Sequence, residues 1–201
     1  MAHLQQAGGK SAMASDPDRR FGPNRERACG SMVAMAMRSH LESALSETGR
    51  TVTSVLEELV GEPVDACERR HVTVAADTPN LFGVEKGHPL VQRSAVLQGR
   101  TSAQPFVNVE TLLVPSRLPA AFYRRLETSA DPIGRILAME GIDFTRSQLP
   151  GPEATRPSAR GTLAVPDDCL LARTYRLEID GLAVMVISEW FLRSLEPFLS
   201  P

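Results

Sequence analysis

The sequence predicts an α+β fold, a single domain in which a mostly antiparallel sheet is flanked by helices. Three observations point there. Residues 32–60 carry apolar side chains at helical spacing, residues 66–114 and 170–192 alternate or run apolar at strand spacing, and Asp180-Gly181 breaks the last run with a dipeptide that closes tight hairpins. A chain of 201 residues, 42% hydrophobic and 23% charged, has the apolar content for one core.

Met1 to Gly30 mixes Gly, Gln, Asp, Pro and Arg without an apolar period and reads as a poorly ordered tail, leaving 31–201 for the folded domain. From Met32 to Leu45, Val33, Met37, Leu41 and Leu45 recur on one side of a helix that Gly49 can end. Thr53 is a candidate N-cap for a second helix bearing Val55, Leu56, Leu59 and Val60, stopped by Gly61, Glu62 and Pro63. Ala66 to Ala75 alternates loosely as a strand, and Asp77 to Asn80 reads as a turn. Leu90 to Leu97 and Phe106 to Val114 pair as a hairpin across the turn-rich Gly99–Gln104 segment.

Pro119 to Leu126 reads as a short helix. Asp131 and Pro132 open another, packed through Ile133, Ile136 and Leu137 and followed by an extended exit, before the stretch from Pro150 to Gly161 interrupts the pattern. Leu170 to Ile179 and Leu182 to Leu192 then form the clearest hairpin. Its closing strand puts Ala183, Met185, Ile187 and Glu189 on one face and Val184, Val186, Ser188 and Trp190 on the other.

Composition narrows the function. A formal net charge of -2 argues against a broad nucleic-acid surface, and no run reaches the roughly 18 apolar residues of a membrane span. The start lacks the apolar core and cleavage pattern of a secretory signal. Cys29, Cys67 and Cys169 have no metal-site spacing and cannot all pair internally, which predicts a reducing, cytoplasmic setting. Phosphate-loop, dinucleotide and HExxH patterns are missing, and the four histidines have no recognisable partner spacing, so no metal or cofactor is expected. The cations are twenty arginines against two lysines, and the guanidinium fork suits carboxylates or phosphates. The expected partner is a small carboxylated molecule, bound by a monomer or small homo-oligomer.

Several polar residues interrupt the apolar pattern. Arg93, in LVQRSAVL, shares a face with Val91 and Ala95 and could hold a substrate carboxylate, or serve as an edge or ion-pair residue. Glu110, in FVNVETLLV, could orient Arg93 or move a proton, or pair charge across the sheet. Gly134 permits close backbone approach, and Arg135 could supply a second positive group or face solvent. Arg173 and Arg176 fall on opposite faces of one strand, so one of them at most points into a given pocket. Glu189 is the expected proton-handling group, because an apolar setting would raise its proton affinity; the rival role is a buried pair with an arginine.

Six pieces of sequence in order, TVTSVLEELVGEPV, LVQRSAVL, VETLLVPSRLP, DPIGRIL, ARTYRLEIDG and VMVISEWFL, resemble the chorismate pyruvate-lyase superfamily over about Thr51 to Leu192. The nearer likeness is to the actinobacterial and archaeal branch that makes 4-hydroxybenzoate. The resemblance implies a six-stranded antiparallel sheet with marginal helices enclosing a ligand pocket, and cofactor-free removal of pyruvate from chorismate. It assigns substrate binding to Arg93, the functional carboxylate to Glu189, and backbone amides on a substrate carboxylate to Ile133 and Gly134. Glu110 and Arg135 match the branch's VE and PIGR patterns. Reuse of the pocket for another carboxylated metabolite, or as a noncatalytic effector-binding domain, are the alternatives that the same residues allow.

Overall fold

The computed structural model describes residues 23–46, 50–77, 80–149 and 166–199. Two units are distinguished, residues 1–35 and 36–201. In the first, the described residues belong to the opening turns of α1 (Pro23–Ser46). That helix starts inside the stretch read as tail: Pro23 suits a first helical position, and Arg, Glu and Ala form helix without needing an apolar stripe. Residues 1–22 of the tail, and the Pro150–Gly161 stretch, lie outside the described residues.

The second unit continues with α2 (Val52–Val60), β1 (Val64–Ala75), β2 (Pro89–Gly99), β3 (Pro105–Leu113), α3 (Ala120–Thr128), α4 (Ile133–Met139), β4 (Thr145–Leu149), β5 (Cys169–Ile179), β6 (Leu182–Leu192) and α5 (Glu196–Leu199). The strands form one six-stranded antiparallel sheet in the order β1-β2-β3-β6-β5-β4. The α+β class and the expected six strands are what is found.

Burial explains the layering. Leu41 and Leu45 of α1, Val55 and Leu56 of α2, Phe122 and Leu126 of α3, and Ile136 and Leu137 of α4 join Ala95, Val109, Met185 and Leu177 in one core, so the helices cover one face of the sheet. A smaller cluster of Ala76, Phe82, Leu90, Val114 and Val186 seals part of the other face.

Two local expectations need correction. The N-cap of α2 is Thr51, not Thr53: Thr51 Oγ1 accepts from the Ser54 amide at 3.1 Å, and Ser54 Oγ accepts from the Thr51 amide at 3.1 Å. This reciprocal box satisfies two backbone donors at once, which Thr53, two residues further in, cannot do, and Thr53 is buried instead. The hairpin closes through Asp180 and Gly181, both with positive φ (51° and 75°), as a two-residue turn requires. Just beyond it the pairing shifts, from Leu177 opposite Met185 to Glu178 opposite Ala183. Val184 is the extra residue, so Ala183 packs with the smaller cluster rather than beside Met185, and simple alternation fails there.

Candidate active site

A partly enclosed cleft lies between the helix-covered face of the sheet and the starts of α2 and α4. Its polar lining comes from Arg93, Glu189, Tyr175, Arg146 and Thr53, with Pro132, Ile133 and Gly134 along one wall. The atom-free space, open mouth included, is about 430 Å³.

Register fixes which side chains face it. Arg93 stands opposite Thr111, Thr111 opposite Ile187, and Ile187 opposite Tyr175; the next row along the same face holds Ala95, Val109, Glu189 and Arg173. Arg93 is 1% exposed, and its Nε and Nη2 have no hydrogen-bond partner, nor does the buried Oγ1 of Thr111 across from it. Burial and the neighbouring Arg69 charge pull its pKa down from the ordinary arginine value to about 10. A buried cation with donors unspent is costly alone and ready for an anion.

Glu189, from the centre of the sheet, has both oxygens engaged. Arg173 Nε donates to Oε2 at 2.7 Å and the Tyr175 hydroxyl donates to Oε1 at 3.0 Å. The setting expected from parity was apolar; the structure supplies two donors, an arrangement that suits the carboxylate. Burial works against the charge on Arg173, but Glu189 outweighs it and holds the pKa above the ordinary arginine value. Burial, reinforced by the Glu189 charge, pushes the Tyr175 phenol well up, so it remains a donor. Of the two candidate arginines on β5, Arg173 is thus the one beside Glu189.

Gly134 earns its place sterically. A Cβ there would come within 2.6 Å of Thr51 Cβ and 3.1 Å of Thr53 Oγ1, so only glycine lets α4 start against the N-terminus of α2. Ile133 and Gly134 open α4, where backbone N–H groups have no intrahelical acceptor.

Four expected residues do not line the cleft: Arg173 borders it only through Glu189, and three others point elsewhere. Arg135 turns away, paired with Glu57, with Asp65 at 3.2 Å and with Asp131 at 3.2 Å, and donating to the Val64 carbonyl at 2.8 Å. Burial opposes its charge, but hydrogen bonds to Glu57, Asp131 and Asp65 hold its pKa up. Glu110 lies on the opposite face: its neighbours in register are Ser94 and Ser188, while Arg93 stands opposite Thr111, so Glu110 does not orient Arg93. Arg176 likewise faces away, ion-paired with Glu178 at 2.6 Å. Tyr175, Arg146 and Thr53 were not foreseen as site residues. Tyr175 shares parity with Arg173 and was legible in principle, whereas Arg146 lies in a five-residue strand too short for a periodic signal. Among the described residues no cluster of His, Cys, Asp and Glu could hold a metal ion, and no helix is long and apolar enough to cross a membrane.

Fold and site define an α+β protein with a partly enclosed cleft on its sheet, lined by a buried unpaired arginine and a hydrogen-bonded carboxylate. No family model matches the chain. It is 30% identical over 156 residues to the chorismate pyruvate-lyase of Mycobacterium leprae, covering 75% of this chain and 73% of that one. It is 34% identical over 113 residues to the chorismate pyruvate-lyase of Mycobacterium tuberculosis, covering 53% of this chain and 54% of that one, so the chain spans about half the length of that relative. The chain belongs to the chorismate pyruvate-lyase family. A crystal structure of PhnF from Mycobacterium smegmatis aligns with a TM-score of 0.46 at 17% identity, over 87% of each chain.

Proposed function

We propose that this chain is a chorismate pyruvate-lyase, converting chorismate into 4-hydroxybenzoate and pyruvate without a cofactor. The observation that carries this reading is Arg93, a buried guanidinium in the cleft with Nε and Nη2 unpaired. Such a group suits a substrate carboxylate that brings the missing acceptors with it. In this reading the amides of Ile133 and Gly134, which line the same cleft, share that carboxylate.

The chemistry is an elimination. Glu189 accepts the proton from the ring carbon that bears the hydroxyl; the electron pair of that C–H bond becomes the new ring π bond, and the ether C–O bond at the adjacent carbon breaks. Enolpyruvate leaves and takes up a proton at its methylene, giving pyruvate, while the ring is left aromatic. Each carboxylate oxygen of Glu189 has lone-pair capacity beyond the one hydrogen bond it accepts, so the bonds from Arg173 and Tyr175 orient the base without using it up. Arg173 and Tyr175 are positioning residues in this scheme. Aromatisation supplies driving force, and the protein supplies alignment and fixed charge.

The test is incubation of the purified chain with chorismate in chelator-treated buffer, with chromatography for 4-hydroxybenzoate and an assay for pyruvate. Equimolar products are expected. Chorismate left unchanged overturns the reading. The same reading places the protein in the cytoplasm, acting as a monomer or small homo-oligomer with no nucleic-acid or membrane partner.

A further inference from the structure

Arg93 is not the only guanidinium with an unspent donor in the cleft. Arg146 of β4 also lines it, and its Nε is buried without a partner. The group is held in place by contacts that do not neutralise it: Nη1 donates to the Arg50 carbonyl at 2.9 Å, and the guanidinium lies 5.0 Å from the Phe144 ring centre and 5.4 Å from that of Tyr175. Stacking and one neutral acceptor fix its plane while leaving the charge available.

The sheet order gives the pair its meaning. Arg93 is on β2 and Arg146 on β4, at opposite sides of the same face, with β3, β6 and β5 between them. Arg146 stands opposite Leu177, whose row on that face also holds Met185 and Leu113, next to the row of Arg93. Four strand spacings separate the two backbones by on the order of 19 Å, and both side chains line the one cleft between. Glu189 comes from β6, in the middle.

We propose that Arg146 is the second anchor of a dicarboxylate clamp, holding the carboxylate of the enolpyruvyl group while Arg93 holds that of the ring. This rests on the lyase reading for the identity of the two carboxylates. The assignment of ends follows from burial: Arg93 is enclosed, whereas Arg146 is half-buried on an edge strand, the side from which the smaller fragment can leave after the C–O bond breaks. Arg146 then separates substrate from product, because 4-hydroxybenzoate keeps only the carboxylate on Arg93.

Calorimetric titration tests this without needing turnover. The probes are 3-(carboxymethoxy)benzoate, a stable aryl ether with two carboxylates, and 4-hydroxybenzoate, with one. The wild type should prefer the dicarboxylate, and Arg146→Gln should weaken it by about 10–100-fold, the worth of a charged hydrogen bond, while leaving 4-hydroxybenzoate binding within about twofold. Retained 4-hydroxybenzoate binding shows that the variant is folded, and Arg146→Lys should recover part of the loss. Equal weakening of both ligands in Arg146→Gln, unchanged dicarboxylate binding, or no dicarboxylate preference in the wild type overturns the clamp. The lyase reading is judged separately, by pyruvate release from chorismate in the wild type.

Discussion

Arg93 in the cleft and Arg135 on α4 have opposite surroundings. Arg135, outside the cleft, is met by Glu57, Asp65 and Asp131 and by a backbone carbonyl. Arg93, inside it, has a second arginine, Arg69, as the charge that bears on it and two nitrogens with no acceptor. A cation surrounded by carboxylates has its partners already and ties β1 to two helices. A cation buried without them lowers the stability of the ligand-free fold, and the protein recovers that cost when an anion arrives. The cleft is where charge has been left unbalanced, and Arg173, with one carboxylate shared with Tyr175, is intermediate between the two.

The largest effect should come from the carboxylate between the cations. Glu189→Gln keeps the shape but removes the base, and kcat for chorismate is expected to fall about 10²–10⁴-fold with KM changed little. Steady-state kinetics at saturating chorismate checks this, and a kcat within threefold of wild type would remove Glu189 from the chemistry.

Arg93→Met breaks the comparison from the other side. Ligand affinity should drop by about 30-fold or more, the cost of truncating one partner of a buried charge pair. The ligand-free protein should meanwhile melt higher, because a pKa lowered to about 10 marks a buried charge that costs on the order of 3 kcal/mol. The sign with pH follows: with its pKa lowered, the folded state gives up this proton at a lower pH than the unfolded chain does. The penalty is therefore full below about pH 10 and shrinks above it. The stability gap between wild type and variant, read from denaturant curves, should narrow over that range. A variant that melts lower and binds normally would show that Arg93 is structural.

Arg135→Met is the complementary change. It leaves Glu57, Asp65 and Asp131 without their shared cation, at a site one-fifth exposed, and should cost about 2–3 kcal/mol once the burial is discounted for solvent. Turnover per folded molecule should stay within about twofold. A large KM change with unaltered melting would return Arg135 to the substrate site.

These contrasts also explain what the sequence disclosed. Strands and hairpins were legible because β-branched runs and Asp-Gly report local geometry, and Arg93 and Glu189 because a charge interrupts an apolar run on a strand. Which charge is balanced was not legible. Arg135 meets Glu57 and Asp65 across 78 and 70 residues of chain, and Arg173 meets Glu189 only because β5 and β6 pair in one particular register. Arg176 looked equal to Arg173 in sequence and Glu110 was a secondary candidate, and one residue of parity sends both to the other face. Parity itself fails where Val184 bulges, and no periodic pattern announces a strand as short as β4.

The smallest expected effect concerns the seam itself. Thr51 caps α2 and also marks the closest approach to Gly134, the residue at the start of α4. Thr51→Ala removes the hydroxyl that accepts from Ser54 and should cost about 1 kcal/mol, a fall in melting temperature of about 2–4 °C for a chain of this size. Because the backbone at Ile133 and Gly134 rests on this contact, affinity for 4-hydroxybenzoate should weaken by a few-fold while the kcat for chorismate holds. Thr51→Ser keeps the acceptor and should restore both melting and affinity. If Ser restores melting but not affinity, the cap and the cleft are independent, and the α2–α4 contact positions the helix alone.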